Sequence, residues 1–152
     1  MIVKGDKKPF VIAGYASVDV IDKDNERISL PALRDAFKRM MSRPSRRNLM
    51  LHHSNVQIGE ILESFTDSFG KELKSGVDDV GLFIVAEVFD DIEAGRRSID
   101  AMKKGHLLAF SVGGKKLQDQ VQCDGKACWN EILKLDLHEV TSCERGMNPM
   151  AK

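Results

Sequence analysis

Apolar and polar positions alternate along several segments of this chain with the two-residue period of a β-strand. In the first such segment Phe10, Ile12 and Val18 are apolar, and the small residues Gly14 and Ala16 share their parity. Other segments are short, apolar and rich in β-branched residues, which is typical of buried strands. The pattern predicts strands over residues 10–18, 48–51, 56–65, 81–89, 106–112, 129–137 and 139–143, with a polar hairpin around residues 119–128.

Two further segments have the spacing of helices. Apolar residues recur every three or four positions after Pro31, and Pro44 predicts the end of this first helix. Asp90 and Asp91 are residue types that favour a helix start, and Gly105 predicts the stop of the second helix. The pattern therefore places one helix between the first and second predicted strands and one between the fourth and fifth.

These elements do not alternate regularly between strand and helix. We therefore predict a mixed α/β (α+β) fold, with a mainly antiparallel sheet or small β-barrel and flanking helices. The 152 residues suit one domain, spanning 1–152. Hydrophobic residues make up 42% and charged residues 30%, as in ordinary globular proteins.

Charge and cysteine content narrow the function classes. Lys and Arg together number 23, as do Asp and Glu, so no global charge favours nucleic acid or a membrane surface. The basic stretch from Arg34 to Arg47 is more typical of a solvated helix face than of a docking site. No apolar run approaches the roughly 20 residues of a membrane span, and no secretory signal is visible. Three cysteines predict free thiols in a reducing compartment, although Cys123 and Cys128 flank a turn and would face each other across a hairpin.

His52 and His53 follow a short apolar strand. A histidine is the natural general base near neutral pH, because its ordinary pKa of about 6.5 lets it take and return a proton. The alternative interpretation is a pair of surface histidines at the end of a strand.

Ser111 lies between apolar residues and the pair Gly113-Gly114. Glycines after a serine leave backbone N–H groups unobstructed, so that they can face a developing oxyanion. The alternative is a small residue in a strand that is followed by a bend.

Glu139 lies in an alternating apolar segment near the C-terminal end. A carboxylate in such a place can orient a histidine and stabilise its charged form. It can equally be an exposed strand carboxylate, and the neighbouring His138 is a rival for the orienting role.

Two other hypotheses compete with a nucleophilic serine. One is a metal site formed by His52, His53, His106 and a cysteine, although adjacent histidines on a strand point to opposite faces. The other is a non-catalytic capsid scaffold or regulatory binding domain, in which Ser111 is structural.

Ordered sequence blocks over nearly the whole chain resemble the prohead maturation proteases of tailed bacteriophages, a serine protease family distantly similar to herpesvirus assemblin. The blocks are Gly14-Tyr15-Ala16-Ser17 with the acidic loop 22–28, the helix after Pro31, Leu49-Met50-Leu51-His52 with Ile58-Gly59, Gly81-Leu82 and the strand after it, residues 104–113 around Ser111, and Leu137-His138-Glu139-Val140-Thr141-Ser142 with Asn148-Pro149-Met150-Ala151.

The resemblance implies a role for each candidate. Ser111 is the nucleophile, His52 the general base and then acid, and Glu139 the residue that orients the imidazole. His53 is the alternative base, and the spacing from Gly59 favours His52. The backbone N–H groups of Val112, Gly113 and Gly114 are the oxyanion-hole candidates.

The resemblance also implies a setting. The expected substrates are scaffold segments of the major capsid protein and the protease itself, in an assembling prohead in the host cytoplasm. Self-association is expected, with no cofactor, no metal, and no nucleic-acid or membrane partner.

Overall fold

A computed structural model of the chain describes residues 2–3, 9–22, 24–52, 54–107 and 109–144. The strands are β1 (Ile2–Val3), β2 (Phe10–Val18), β3 (Glu26–Ile28), β4 (Asn48–Leu51), β5 (Gln57–Leu62), β6 (Ser64–Thr66), β7 (Glu72–Lys74), β8 (Gly76–Val77), β9 (Gly81–Val88), β10 (Ala109–Asp124) and β11 (Ala127–Cys143). The helices are α1 (Leu30–Met41), α2 (Glu93–Lys103) and a short 3-10 helix at Pro44–Arg46.

One large sheet carries most of these strands. Its order is β1-β2-β9-β5-β4-β11-β10, with β3 also paired to β11 and β8 also paired to β9, while β6 and β7 form a separate pair. All pairs are antiparallel except those of β11 with β3 and with β4, which are parallel. The predicted mixed fold with a mainly antiparallel sheet is confirmed. The barrel alternative is not, because in the described part of the chain β10 forms a ladder only with β11 and the sheet stays open.

Helix α1 packs against the sheet through the apolar stripe that its sequence predicts. Ser29 precedes it, and the Ser29 hydroxyl accepts a hydrogen bond from the N–H of Ala32 at 3.3 Å, which caps the first turn. The stripe is buried and consists of Ala32, Leu33, Ala36, Met40 and Met41. Together with residues of β5, β9 and β11 it forms the main hydrophobic core.

Helix α2 begins later than predicted. Ile92, and not Asp90 or Asp91, occupies the capping position, and its side chain makes no capping hydrogen bond. Its end agrees with the prediction, since Gly105 has a φ of 78°, which glycine adopts without steric cost. No described helix is both long enough and apolar enough to cross a membrane.

The long β10–β11 hairpin corrects three expectations. The alternative of a bend after Ser111 is wrong, and so are the bounds predicted for the strand over residues 106–112, because β10 begins at Ala109 and continues through Gly113 and Gly114 to Asp124. The expectation of three free thiols is also wrong, because Cys123 and Cys128 are cross-strand partners joined by a disulfide. Cys143 is a buried thiol, and its sulfur lies 3.6 Å from the carbonyl oxygen of Ala109.

Candidate active site

Three neighbouring strands, β4, β11 and β10, bring the predicted site residues together. Ser111 on β10 lies directly opposite Thr141 on β11, and Thr141 lies opposite Met50 on β4. Residues directly opposite each other in a sheet point to the same face, as do residues two apart on one strand. Ser111, Thr141 and Met50 therefore share one face.

Glu139 belongs to the same face, because it lies two residues before Thr141. Its cross-strand partner is Gly113, which lies two residues after Ser111. A Cβ atom added at Gly113 would be 3.0 Å from the Glu139 Cγ and 3.1 Å from its Oε1. The Glu139 side chain thus lies over Gly113, in space that is open only because residue 113 has no side chain.

His52 is the first residue after β4 and lies two positions beyond Met50. Its N–H donates to the carbonyl oxygen of Ser142 at 3.0 Å, which extends the pairing with β11 by one residue. The parity of the ladder assigns His52 to the face of Ser111 and Glu139. His53, the alternative base, lies outside the described residues.

The chain that follows His52 turns back tightly into β5. The N–H of Leu51 donates to the carbonyl oxygen of Val56 at 2.9 Å, and the Ser54 hydroxyl donates to the carbonyl oxygen of Leu51 at 2.7 Å. The same hydroxyl accepts from the N–H of Val56 at 3.2 Å. These bonds fix the backbone on both sides of His52, so its ring extends from an anchored turn.

The shared face forms an open groove of about 460 Å³. Its lining residues are Leu51, His52, Ser54, Asn55, Ser111, Glu139 and Thr141. The three predicted site residues are thus brought to one surface, within reach of a single bound peptide. Their catalytic roles stay a prediction.

The oxyanion-hole candidates lie inside a strand and not in a bend. Val112 is opposite Val140 and Gly113 opposite Glu139, but Gly114 is opposite Leu137, so the register shifts between the two glycines. Such a bulge redirects backbone groups locally, and bulges are frequent beside active sites. The two glycines thus mark a discontinuity in the ladder directly after the candidate nucleophile.

His138, the rival for the orienting role, lies at this shift and is not among the residues that line the groove. Its Nε2 is 3.2 Å from Oδ2 of Asp136, which also accepts from Arg46 at 3.1 Å. Arg46 first, and His138 second, lower the pKa of Asp136. The geometry thus couples His138 to Asp136, and Glu139 is the acid that shares the groove with His52.

Sequence reasoning missed two features of the groove. Thr141 lies between the strands of Ser111 and His52, and its sharing of a face with Glu139 was available from their two-residue spacing. Asn55 lines the groove because of the turn after His52, which no local pattern indicated. Within the described residues no group of three or more His, Cys, Asp or Glu side chains is arranged to hold a metal ion.

Comparison with known proteins places this chain in a family. A family model described as the Caudovirus prohead serine protease matches residues 1–152, the whole chain. The chain belongs to the Caudovirus prohead serine protease family. This prohead protease is therefore an enzyme, a serine peptidase, as its sequence blocks predicted, and the alternative of a non-catalytic scaffold domain is wrong.

A solved structure supports the fold of the prohead protease. The bacteriophage T4 capsid assembly protease gp21 matches with a TM-score of 0.67 and 13% identity, over 93% of this chain and 89% of that chain. At this identity the likeness shows a shared fold. No curated protein matches the chain.

Proposed function

We propose that the prohead protease cleaves peptide bonds with a Ser–His–Glu triad formed by Ser111, His52 and Glu139. The observation that carries this proposal is the single groove that all three line. The register supports it independently, because it assigns the three residues to one face from the hydrogen-bonded ladders alone.

Each residue has a distinct step. His52 takes the proton of the Ser111 hydroxyl while Oγ attacks the scissile carbonyl carbon, and it then gives that proton to the leaving amine. The acyl-enzyme is hydrolysed by a water molecule, whose proton His52 takes before returning it to Oγ. Glu139 orients the imidazole and stabilises its protonated form. The reaction needs no cofactor.

The developing oxyanion requires hydrogen-bond donors close to Ser111. Val112, Gly113 and Gly114 supply backbone N–H groups next to the nucleophile, and the bulge at His138 on β11, opposite the two glycines, supports this role. Removal of one oxyanion donor typically costs about 3 kcal/mol of transition-state stabilisation. A backbone donor cannot be removed by a side-chain substitution, so the test below concerns the three side chains.

The substrates that we propose are the major capsid protein, its scaffold segments and the protease itself, cleaved inside the assembling prohead in the host cell. Two findings support capsid proteins as substrates, namely membership of the prohead protease family and the structural likeness to the T4 capsid assembly protease. We also propose self-association, which would bring one protease molecule to the cleavage site of another.

Ser111→Ala is the decisive substitution. We expect processing of the co-expressed capsid protein of the same phage to fall about a thousandfold or more, with the melting temperature unchanged. The matched control is Ser98→Ala, which removes a buried hydroxyl that donates to the carbonyl oxygen of Ala94 on α2, outside the groove. Normal processing by Ser111→Ala would contradict the proposal.

His52 and Glu139, the other two members of the proposed triad, are each tested against a control substitution. His52→Ala is expected to abolish cleavage, while His53→Ala and the exposed His106→Ala keep it. Glu139→Gln is expected to lower kcat about a hundredfold or more, because the amide cannot stabilise the imidazolium, while the exposed Glu72→Gln has no effect. An active His52→Ala enzyme combined with an inactive His53→Ala enzyme would transfer the base role to His53.

A further inference from the structure

A second cavity of about 160 Å³ adjoins the active groove, and Ser111 lines both. We call it the trough: it lies between β2 and the first half of β10. Val112, Gly114 and Lys116 line it from β10, and these residues belong to the face of β10 opposite to that of Glu139 and Thr141. Since β10 is the last strand of the described sheet, a peptide seated at Ser111 can pass over its edge into the trough.

The two ends of the trough differ in chemistry. At the Ser111 end its walls are apolar, and the buried residues Ala16, Val18 and Leu137 line it. At the other end the acidic loop contributes Asp22, Asp24 and Glu26, and β10 contributes Lys116. Lys116 lies five positions after Ser111 on the strand, which corresponds to roughly 16 Å.

The distal end carries an excess of negative charge. Lys116 forms an ion pair with Glu26, and this bond, followed by the nearby Asp119 and Asp22, raises the pKa of Lys116. Lys116 therefore stays charged and cancels one of the three carboxylates. Arg27 of the same loop pairs with Asp19 at 2.6 Å and does not line the trough, so carboxylates outnumber cations by three to one among the described lining residues.

Hydrogen bonds between side chains and backbone groups hold the acidic loop in place. Asp22 Oδ1 accepts from the N–H of Asp24 at 2.9 Å and from the N–H of Glu26 at 3.0 Å. Asn25 has a φ of 60°, and its side-chain amide donates to the carbonyl oxygen of Cys128 on β11 at 2.8 Å. The carboxylates thus lie on a preformed loop, so a ligand does not have to order them.

We propose that the trough is the substrate-selecting site of the prohead protease, binding a peptide with an apolar side chain next to the cleaved bond and a Lys or Arg about four or five residues away. The apolar side chain fills the Ser111 end, and the basic side chain reaches Asp22, Asp24 and Glu26. This inference rests on the proposed function, because it takes Ser111 as the point from which substrate positions are counted.

The test is peptide binding to the inactive Ser111→Ala variant, measured by fluorescence anisotropy, which requires no turnover. The probes are labelled peptides with a single Leu, in which one Lys is moved through successive positions on either side, and the same peptides with Glu in place of Lys. On one side of the Leu, we expect the peptide with Lys at the distal position to bind about two- to tenfold more tightly than the peptide with Glu there. We expect high salt to remove this difference in Kd.

Asp24→Lys in the same background is expected to abolish or reverse the preference, since Asp24 is exposed and tolerates substitution. Asp100→Lys is the matched control, because Asp100 is exposed on α2 and lines neither cavity. Equal binding of the Lys and Glu peptides, a preference for Glu, absence of binding, or an unchanged preference in Asp24→Lys would each overturn the inference. None of these outcomes bears on the proposed triad. The triad is tested by a separate measurement, which asks whether the Ser111→Ala enzyme still cleaves the capsid protein.

Discussion

The two ends of the β10–β11 hairpin belong to the same two strands, but one end is packed in the core and the other is exposed to solvent. At the root, residues 109–113 and 137–143, Phe110, Leu137 and Val140 are at most 3% exposed, and β4 pairs with β11 on its other side. At the tip, residues 117–124 and 127–131, no residue is buried, and Val121 is 68% exposed. Ser111 and Glu139 lie at the root, and His52 lies beside it, directly after β4. Packing on one face of the strands thus fixes the positions of the polar groups on the other face.

The largest effect on stability is expected where this packing is removed. Leu137→Ala leaves a cavity in the main core and is expected to lower the free energy of unfolding by about 2–5 kcal/mol. Val121→Ala, the matched change at the tip, is expected to stay within about 0.5 kcal/mol. Urea unfolding followed by circular dichroism measures both, and similar losses would show that the tip is packed as firmly as the root.

Gly113→Ala tests whether catalysis depends on the position of the Glu139 side chain and not only on the stability of the root. The new Cβ would crowd the Glu139 side chain, which must move by a few tenths of an ångström or more. We expect kcat to fall about tenfold to a hundredfold while KM changes little, because a displaced orienting group affects the transition state more than substrate binding. Gly125→Ala at the tip is the control.

At Gly125 a Cβ meets nothing within 4 Å, but φ is 65°, so strain without crowding is introduced. We expect this variant to lose some stability and to keep normal kcat. A Gly113→Ala enzyme with unchanged kcat would mean that the position of the Glu139 side chain over Gly113 has no part in catalysis.

Removal of the tip disulfide is expected to have a smaller effect. Replacing Cys123 and Cys128 with Ser removes a crosslink between directly paired residues and is expected to cost about 2 kcal/mol of stability. Cleavage of a peptide substrate is expected to be unchanged, because the root keeps its own packing. A tenfold loss of kcat, with stability restored by lower temperature, would show that the tip supports the site.

The sequence predicted the separate buried strands better than it predicted the long β10–β11 hairpin, for physical reasons. Phe10–Val18 and Asn48–Leu51 have the predicted bounds, since each is a short apolar segment that ends at polar or turn-forming residues, a pattern that is visible locally. The bend expected at Gly113-Gly114 does not form, because the long ladder with β11 continues through both glycines, and the extra residue at the register shift is His138 on β11. A local preference is overridden here by pairing with residues more than twenty positions away.

The candidate site also divides into features that local sequence predicts and features that depend on contacts between distant parts of the chain. Ser111, His52 and Glu139 were predicted from residue types and from the resemblance to prohead proteases, and they line one groove. The trough was not predicted, because it exists only where β2 passes beside β10, and no pattern along the chain encodes that proximity. The disulfide was missed for a different reason, since the facing of Cys123 and Cys128 was predicted but their oxidation was not.

The smallest expected effect lies on β9, far along the sheet from the root, and it tests whether stability and activity separate. Burial first, and then the carboxylates of Glu60, Asp90 and Asp91, raise the pKa of Glu87 above its ordinary value. The folded protein therefore holds this proton more tightly than the unfolded chain does. The associated stability is present at pH below the unfolded pKa of about 4.3 and is lost as the pH rises through the folded pKa.

Glu87→Gln, which is neutral at every pH, is consequently expected to raise the melting temperature at pH 7 and to lose this advantage at pH 4. The exposed Glu72→Gln is expected to show no such dependence. Because Glu87 lines neither the groove nor the trough, kcat is expected to stay unchanged at every pH. A pH-independent gain in melting temperature would mean that the Glu87 carboxylate is not destabilised in the folded state. A change in kcat would mean that the sheet transmits effects from β9 to the root.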